Sequence, residues 1–374
     1  MTILYSCAQR SQSIEGQPNP SFQMKKLSTI FTLYTSFGCF CAAAFALIAQ
    51  PAHADSTAPR CHYINLATLP VETTHGWFVV QGSINGKTAP MMIDTGAVLT
   101  TLTSQGVDYF GLTLYHSPVT QVGVSGESMT YETVVDDIAL GKFHGRPNKR
   151  LSVAMDSFSP YKVIVGTNIM LNADLEFNSA DRTIKFFEAE NCSNTFLAYW
   201  NKDALDVALT EMSSKDRRQV VTVEINGQKL RAIIDSGAKY SLLNKAFAAR
   251  LGITPESPNV TKIGAVVGVG SHKIDTWLVK FDSFSIGDET VKNPSIRMSD
   301  LWGAARADEH NMATSEMLDA EPDMLLGVDF LRTHHVLLAL SQHRLYFSYE
   351  GGAVFPPPKP AAVKVSGDAA KIVE

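Results

Sequence analysis

The 374-residue sequence lacks the local motifs of several common enzyme classes. It contains no Gly-x-Ser-x-Gly nucleophile elbow, no phosphate-binding P-loop and no dinucleotide-binding glycine fingerprint. The pair His334-His335 lies in an apolar strand pattern without the spacing of metal ligands, so we expect no metal site and no cofactor. These absences argue against serine-elbow hydrolases, nucleotide-dependent enzymes and zinc enzymes.

The sequence also lacks a strong charge excess and has few long amphipathic helical patterns. Its 32 basic and 37 acidic residues give a net charge of −5 without clustering, so there is no electrostatic argument for binding nucleic acid. Short runs of Val, Ile, Thr and Phe, separated by turn signals, dominate instead. This pattern predicts a β-rich protein long enough for two domains of ordinary size.

The N-terminal region is typical of a bacterial export signal. Met24-Lys25-Lys26 precedes an uncharged run from Leu27 to Ile48, and Ala52-His53-Ala54 matches the small-x-small cleavage pattern. We therefore expect residues 1–54 to be an export segment, with Met24 as a plausible true start and a periplasmic mature protein. An uncleaved inner-membrane anchor and a secreted protein remain the alternatives.

Cysteine is scarce after the export segment. Only Cys61 and Cys192 follow Ala54. An even pair in an exported protein predicts a disulfide, and the alternative is two free buried thiols.

A short motif occurs twice in the chain, 141 positions apart. The copies read Met91-Met92-Ile93-Asp94-Thr95-Gly96-Ala97 and Ala232-Ile233-Ile234-Asp235-Ser236-Gly237-Ala238. Three apolar residues before each aspartate predict a buried strand that ends at the carboxylate. Each glycine allows a tight turn, and the Thr95 and Ser236 hydroxyls are expected to hydrogen-bond across to the opposite copy.

Two such carboxylates can form one active site without a metal. Hydrolysis of an amide by water needs one group to accept a proton from the water, and another to donate a proton to the scissile carbonyl or leaving nitrogen. Two carboxylates a few ångströms apart cannot both ionise, so they share a proton and can do both. We therefore predict that Asp94 and Asp235 are a catalytic pair.

The repeat extends beyond this motif in both directions. Asn85-Gly86 and Asn226-Gly227 predict a hairpin before each aspartate strand. Two later pairs of segments align at an offset of 161: Val163 to Ile169 with Met324 to Phe330, and Thr183 to Phe186 with Arg344 to Phe347. The second copy therefore carries 20 extra residues in its interior.

These features resemble the retropepsin-like aspartic peptidases. That family is marked by an apolar-apolar-Asp-Thr/Ser-Gly-Ala turn, a glycine-containing flap, and a late apolar-Leu-Gly-x-Asp-x-Leu segment. The second copy matches the late segment fully at Leu325 to Leu331, whereas the first copy has Asn168 where Asp329 stands. The resemblance covers about residues 75–190 and 216–350.

The resemblance implies an all-β fold with two retropepsin-like closed β-barrel or sandwich lobes, related by pseudo-twofold symmetry. We expect lobe 1 at residues 61–192 and lobe 2 at residues 216–350. The implied activity is aspartic endopeptidase action on a peptide or protein substrate, in a monomer that contains both halves of the site. Two alternatives stay open: a homodimer in which each lobe pairs with its twin, and a non-catalytic peptide-binding or scaffold protein on this fold.

The residue after each Asp-Thr/Ser-Gly turn leads to a prediction about pH. Ala97 and Ala238 stand where pepsin-like enzymes often have a hydroxyl residue. A hydroxyl there would hydrogen-bond the ionised carboxylate and lower its pKa, so its loss leaves the pair titrating higher. We therefore expect a mildly acidic activity optimum.

Two glycine-containing segments are candidates for flaps that close over substrate. They are Val122-Gly123-Val124-Ser125-Gly126 and Val267-Gly268-Val269-Gly270. Alternating β-formers and glycines suit a mobile hairpin tip. The alternative is an ordinary glycine-containing hairpin.

Three further segments carry weaker signals. In the linker, residues 193–215, Leu205, Leu209 and Met212 have helical spacing and predict a short connecting helix. The insertion around residues 299–321 is expected to be a solvated loop, with a lid, a partner site or a self-inhibitory segment as alternatives. Residues 351–374 form a Pro-rich tail that is expected to be extended or disordered.

Overall fold

The computed structural model describes residues 2–4, 60–72, 76–117, 121–128, 130–145, 148–155, 159–268, 270, 272–307 and 321–358. The expected export segment lies outside these ranges except for Thr2–Leu4, which forms strand β1. Within the described ranges, no helix has both the length and the apolar character needed to cross a membrane. Residues 60–358 belong to one compact unit.

Strands dominate the first copy of the repeat. They are β2 (His62–Pro70), β3 (Val79–Ile84), β4 (Lys87–Ile93), β5 (Thr101–Thr103), β6 (Tyr115–His116), β7 (Gln121–Gly123), β8 (Gly126–Ser128), β9 (Thr130–Val135), β10 (Ile138–Leu140), β11 (Phe143–His144), β12 (Lys149–Ala154), β13 (Val163–Val165), β14 (Asp174–Asn178) and β15 (Thr183–Glu190). The helices here are short: α1 (Ser104–Phe110) and α2 (Thr167–Met170).

The linker and second copy continue in the same way. Their strands are β16 (Leu205–Ala208), β17 (Thr210–Ser213), β18 (Asp216–Ile225), β19 (Gln228–Ile234), β20 (Leu242–Asn244), β21 (Val260–Val266), β22 (Ile274–Lys280), β23 (Ser283–Ile286), β24 (Glu289–Lys292), β25 (Ser295–Ser299), β26 (Met324–Leu326), β27 (His334–Ala339) and β28 (Arg344–Tyr349). The helices are α3 (Lys245–Arg250), α4 (Gly303–Ala307) and α5 (Val328–Leu331), with a 3₁₀ turn at Leu340–Gln342.

Each lobe is built on one large sheet with the same central arrangement. In lobe 1, β13 runs parallel to β4 and antiparallel to β5, and β5 runs parallel to β12. In lobe 2, β26 runs parallel to β19 and antiparallel to β20, and β20 runs parallel to β25. The repeated pairing confirms the predicted all-β fold of two lobes related by pseudo-twofold symmetry.

The two lobes share a third sheet. Its six strands follow the order β16-β28-β27-β14-β15-β2. The lobes join where β14 pairs antiparallel with β27, with Leu175 opposite Leu338. Because backbone hydrogen bonds cross from one copy to the other, this sheet holds both lobes on one common base.

The linker is not a helix, and that prediction was wrong. Its residues form β16 and β17, which pair with β28 and β18 respectively. Leu205, Val207 and Leu209 alternate along the chain, so the segment also has the period of a strand. As β2 borders β15 in the first copy, β16 borders β28 in the second, and this pairing selects the strand.

The predicted Asn-Gly hairpins are present in both copies. Asn85 and Asn226 each have a φ of 49°, and the following glycines, Gly86 and Gly227, also have positive φ. Consecutive positive φ values match the turn that suits the twist of paired strands. The Asn85 side-chain oxygen also accepts from two backbone N–H groups of the β9–β10 connection, as Asn226 does before β23.

The predicted disulfide between Cys61 and Cys192 is present. The two residues flank the outer end of the β2–β15 pair, where His62 lies opposite Glu190. The bond therefore joins the entrance of lobe 1 to its exit.

The tail is packed at its start, contrary to the expectation of a flexible segment from residue 351. Val354 and Phe355 are buried, and the ring centroid of Phe355 lies 4.9 Å from that of Phe284. Burial of these two apolar side chains holds the tail against lobe 2 as far as the prolines. Residues 359–374 lie outside the described part of the chain.

Candidate active site

The two motif aspartates lie at the ends of equivalent strands and face each other. Asp94 follows β4, and Asp235 follows β19; both are 1% exposed. A Cβ atom placed on Gly96 would clash with the carboxyl group of Asp235, and one on Gly237 would clash with that of Asp94. Only glycine therefore lets each turn approach the opposite carboxylate this closely.

The Thr95 and Ser236 hydroxyls bind the two turns to each other. The Thr95 N–H donates to Ser236 Oγ at 3.0 Å, and the Ser236 N–H donates to Thr95 Oγ1 at 3.0 Å. Each hydroxyl also donates across the interface, Thr95 to the carbonyl of Ile234 at 2.7 Å and Ser236 to that of Ile93 at 2.8 Å. All four bonds are buried, and each joins one copy of the motif to the other.

Backbone N–H groups orient both carboxylates. Gly96 donates to Asp94 Oδ1 at 2.9 Å, while Gly237 and Ala238 donate to Asp235 Oδ1 at 2.9 and 3.0 Å. Oδ2 of Asp235 is buried and has no hydrogen-bond partner among the described residues. Burial, and then the neighbouring charge of Asp94, raise the pKa of Asp235 to about 7.

A second pair of equivalent side chains supports the turns from behind. Asp329 in α5 accepts hydrogen bonds from the backbone N–H and hydroxyl of Ser241. Asn168 in α2 accepts the same two bonds from Thr100. The side-chain oxygen that these contacts require is common to Asp and Asn, so Asn168 does not alter the packing of its helix.

The two predicted flaps are hairpins that contact each other. Val124 and Ser125 form the tip between β7 and β8, while Val267, Gly268 and Gly270 belong to the turn between β21 and β22. Ser125 Oγ accepts from Gly268 N–H at 2.8 Å, and the Ser125 carbonyl accepts from His272 N–H at 3.0 Å. Gly270 has a φ of 115°. Val269 lies outside the described residues.

The first flap also packs on the described start of the insertion. Val122 and Val124 belong to a buried apolar cluster with Leu301 and Trp302, the two residues that immediately precede α4. Trp302 is 2% exposed and donates from its indole to the carbonyl of Pro322. The insertion was expected to be a solvated loop, and for its described part this was wrong; residues 308–320 are outside the description.

A cleft of about 520 Å³ contains both aspartates. Its apolar walls come from both lobes and include Met92, Ile164, Leu242 and Leu325. Val124, Val267 and Gly268 of the two predicted flaps also line it. A larger groove, of about 770 Å³, lies on lobe 1 beside β10, β11 and α2, but it contains neither aspartate. Convergent buried carboxylates make the smaller cleft the candidate active site.

Sequence reasoning missed several residues of this cleft. Trp77, which precedes β3, donates from its indole to the carbonyl of Gly237 at 2.9 Å and so braces the second turn from lobe 1. Lys239 and Tyr240 directly follow the second motif, and that adjacency was the available signal. Arg297 reaches the cleft from β25 through strand register, for which the sequence gives no local signal.

The family described as "Aspartyl protease" matches residues 80–163 and 221–330, just over half of the chain. Among curated proteins, the chain is 31% identical over 125 residues to UBA domain-containing protein Mud1 of Schizosaccharomyces pombe. It is 27% identical over 128 residues to DNA damage-inducible protein 1 of Kluyveromyces lactis. These alignments cover 33% and 34% of this chain. The chain spans 31% and 26% of the length of these relatives.

Two solved structures are also similar. An aspartic proteinase from Irpex lacteus aligns over 76% of this chain and 97% of its own, with 12% identity and a TM-score of 0.42. A retropepsin-like aspartic protease from Rickettsia conorii aligns over 35% of this chain and 97% of its own, with 17% identity and a TM-score of 0.27. Both scores lie below 0.5, so the description of the fold rests on the strand pairing above.

Proposed function

This chain belongs to the aspartyl protease family, and on that premise we propose that it is an aspartic endopeptidase whose catalytic residues are Asp94 and Asp235. The observation that carries the proposal is the pair of buried carboxylates on turns bound by reciprocal hydrogen bonds. Two like charges in such a site hold one proton between them.

The proposed chemistry uses both states of the pair. The ionised carboxylate accepts a proton from water, and the oxygen of that water attacks the scissile carbonyl carbon. The protonated carboxyl donates to the carbonyl oxygen and stabilises the tetrahedral intermediate. A proton then passes to the amide nitrogen, the C–N bond breaks, and an acid and an amine are released. The pair holds this proton in the resting enzyme, and burial together with the charge of Asp94 raises the pKa of Asp235 accordingly.

The cleft supports a peptide substrate. Its walls are mainly apolar and come from both lobes, and two hairpin tips line it near the aspartates. We assign Val122 to Gly126 and the turn from Val267 to Gly270 the role of flaps that bind an extended peptide and exclude water. Because one chain supplies both aspartates, the proposed active form is a monomer, which light scattering at working concentration tests.

We further propose that the mature protein is exported and periplasmic. The pattern from Met24 to Ala54 and the Cys61–Cys192 disulfide support this compartment, since disulfides persist in oxidising environments. N-terminal sequencing of the protein from the periplasmic fraction is expected to begin at Asp55. A product found only in the cytoplasm, with free thiols, would contradict export.

Cleavage of an unfolded protein by the purified chain, from about pH 3 to pH 8, tests the activity. We expect a mildly acidic optimum, a loss of rate as pH rises through about 7, and inhibition by a statine-type transition-state mimic. Asp94→Asn and Asp235→Asn each abolish cleavage. A folded wild type that binds peptides but cuts none at any pH would favour the non-catalytic binding protein instead.

A further inference from the structure

Arg297 is a buried cation in the wall of the cleft. It lies on β25, where its Cα partner on β20 is Leu242, and the residue is 5% exposed. It lines the cleft together with both aspartates. Its guanidinium carbon lies 3.4 Å from the centroid of the Tyr240 ring, which is also in the cleft wall. The stacked ring therefore fixes the plane of the guanidinium group.

The guanidinium has donors that the described protein does not use. Nη1 donates to the carbonyl of Pro356 at 3.4 Å, and within the described ranges no carboxylate lies within 4.0 Å of it. The nearby acid Asp329 directs its oxygens to Ser241 and to the N–H of Phe330. The other deeply buried arginine, Arg218, is paired with two carboxylates.

The pseudo-twofold symmetry shows that this cation belongs to one side of the cleft only. By strand register, the lobe 1 counterpart of Arg297 is Ser152, whose Oγ accepts from the Gln121 amide. Lys239 and Tyr240 correspond by the offset of 141 to the uncharged Val98 and Leu99.

The charges that line the cleft reinforce this asymmetry. Among the described residues that line it, Lys239 and Arg297 are the cations, and Asp94 and Asp235 are the only acids. The lobe 2 side of the cleft therefore carries two cations, and apart from Asp235 none of the described residues that line it on that side has a carboxylate.

We propose that Arg297, stacked on Tyr240 and assisted by Lys239, forms a subsite for an acidic side chain of the substrate, on the lobe 2 side of the Asp94–Asp235 pair. This inference rests on the proposed peptidase function and deepens it by naming the substrate class: peptides with Asp or Glu at one fixed position. A carboxylate accepts two parallel hydrogen bonds from the forked N–H groups of a guanidinium. The amide of Asn or Gln has a similar shape but carries no negative charge, so it binds the guanidinium less strongly.

The size of the preference follows from burial. A guanidinium held in a largely apolar wall is poorly solvated, so a carboxylate that pairs with it recovers stabilisation that a neutral side chain does not supply. We expect kcat/KM to favour Glu over Gln at this position by at least about tenfold.

Digestion of a complex peptide library, with the cut sites sequenced by mass spectrometry, tests the subsite. Wild type is compared with Arg297→Gln and with Arg250→Gln, which alters an exposed arginine paired with Asp323 outside the cleft. We expect wild type and Arg250→Gln to enrich Asp and Glu at one position, and Arg297→Gln to lose this enrichment. Arg297→Lys keeps the positive charge but lacks the forked N–H groups, so it should retain part of this enrichment.

A second experiment uses only the wild-type enzyme and a matched pair of peptides that differ by Glu or Gln at this position. It measures the acidic preference without the need for a folded variant.

The outcomes separate this inference from the proposed function. Dyad-dependent cleavage with no acidic preference, or with the same preference in folded Arg297→Gln, overturns the subsite and leaves the peptidase intact. Absence of cleavage by folded wild type overturns the peptidase and the subsite with it.

Discussion

At the scale of single residues, the properties of the site follow from placing two carboxylates together away from water. Desolvation and the charge of Asp94 raise the pKa of Asp235 to about 7, and Asp235 Oδ2 has no hydrogen-bond partner among the described residues. The folded protein therefore binds a proton, between about pH 4 and pH 7, that the unfolded chain releases. This carboxyl makes the fold less stable as pH rises through that range.

Asp235→Asn is expected to stabilise the protein at pH 8, because it removes a buried charge while its amide oxygen still accepts from Gly237 and Ala238. The expected gain in free energy of unfolding is about 2 kcal/mol at pH 8 and close to zero at about pH 3.5. Denaturant titration at both pH values measures it, with Asp275→Asn, in an exposed ion pair, as the control. An equal gain at both pH values would contradict the raised pKa.

Ser236→Ala is expected to weaken both the fold and the site. It removes the donor to Ile93 and the acceptor of the Thr95 N–H, and it leaves both backbone groups buried without that partner. The expected cost is about 1–3 kcal/mol of unfolding free energy, with a lower kcat. Ser236→Thr keeps the hydroxyl and is the matched control. If Thr at this position were as damaging as Ala, the hydroxyl would not be the cause.

At the scale of elements, strands and turns marked by glycine or by apolar runs were predictable from the sequence. Segments whose apolar residues fit both the helical and the strand period were not. The Asn-Gly hairpins and the strands before Asp94 and Asp235 follow from the sequence because glycine and apolar runs leave few alternatives. The linker satisfied both the helical and the strand period over a few residues. Only the pairing with β28 decides it, and that strand is distant in sequence, because Asp206 pairs with Tyr346, 140 positions later.

Trp302→Ala is expected to release the hairpin tip of the first proposed flap. The substitution leaves a cavity beside Val122 and Val124 and should cost about 3–5 kcal/mol of unfolding free energy. Faster amide hydrogen exchange at residues 121–128 and a higher KM should accompany this loss of stability. Phe196→Ala, at an exposed site outside this cluster, is the control. Unchanged exchange in the flap of a folded Trp302→Ala protein would contradict the contact.

At the scale of the whole molecule, the repeat accounts for the two lobes and for the facing aspartates, whereas the asymmetry of the cleft was not predictable. Sequence alignment of the two copies places equivalent strands and turns in equivalent positions. Arg297 and Trp77 reach the site, and Phe355 reaches Phe284 of lobe 2, through strand register and chain path. Such contacts depend on tertiary structure, so no local sequence pattern predicts them.

Replacement of both Cys61 and Cys192 by Ser is expected to lower stability without changing the chemistry. The disulfide spans 131 residues and restricts the unfolded chain, so its loss should cost about 3 kcal/mol. It lies at the outer end of the β2–β15 pair, and the pH profile of the remaining folded enzyme should not shift. Thermal unfolding and pH–rate profiles measure the two effects. A shifted profile would show that the bond influences the dyad.

The most direct test of the central claim is kcat/KM for Asp94→Asn, Asp235→Asn and the double variant, on one peptide substrate. If the two carboxylates act as one unit, each single variant loses at least about a thousandfold and the double variant loses no more. Losses that multiply in the double variant, or a single variant that keeps most of its activity, would contradict a shared dyad.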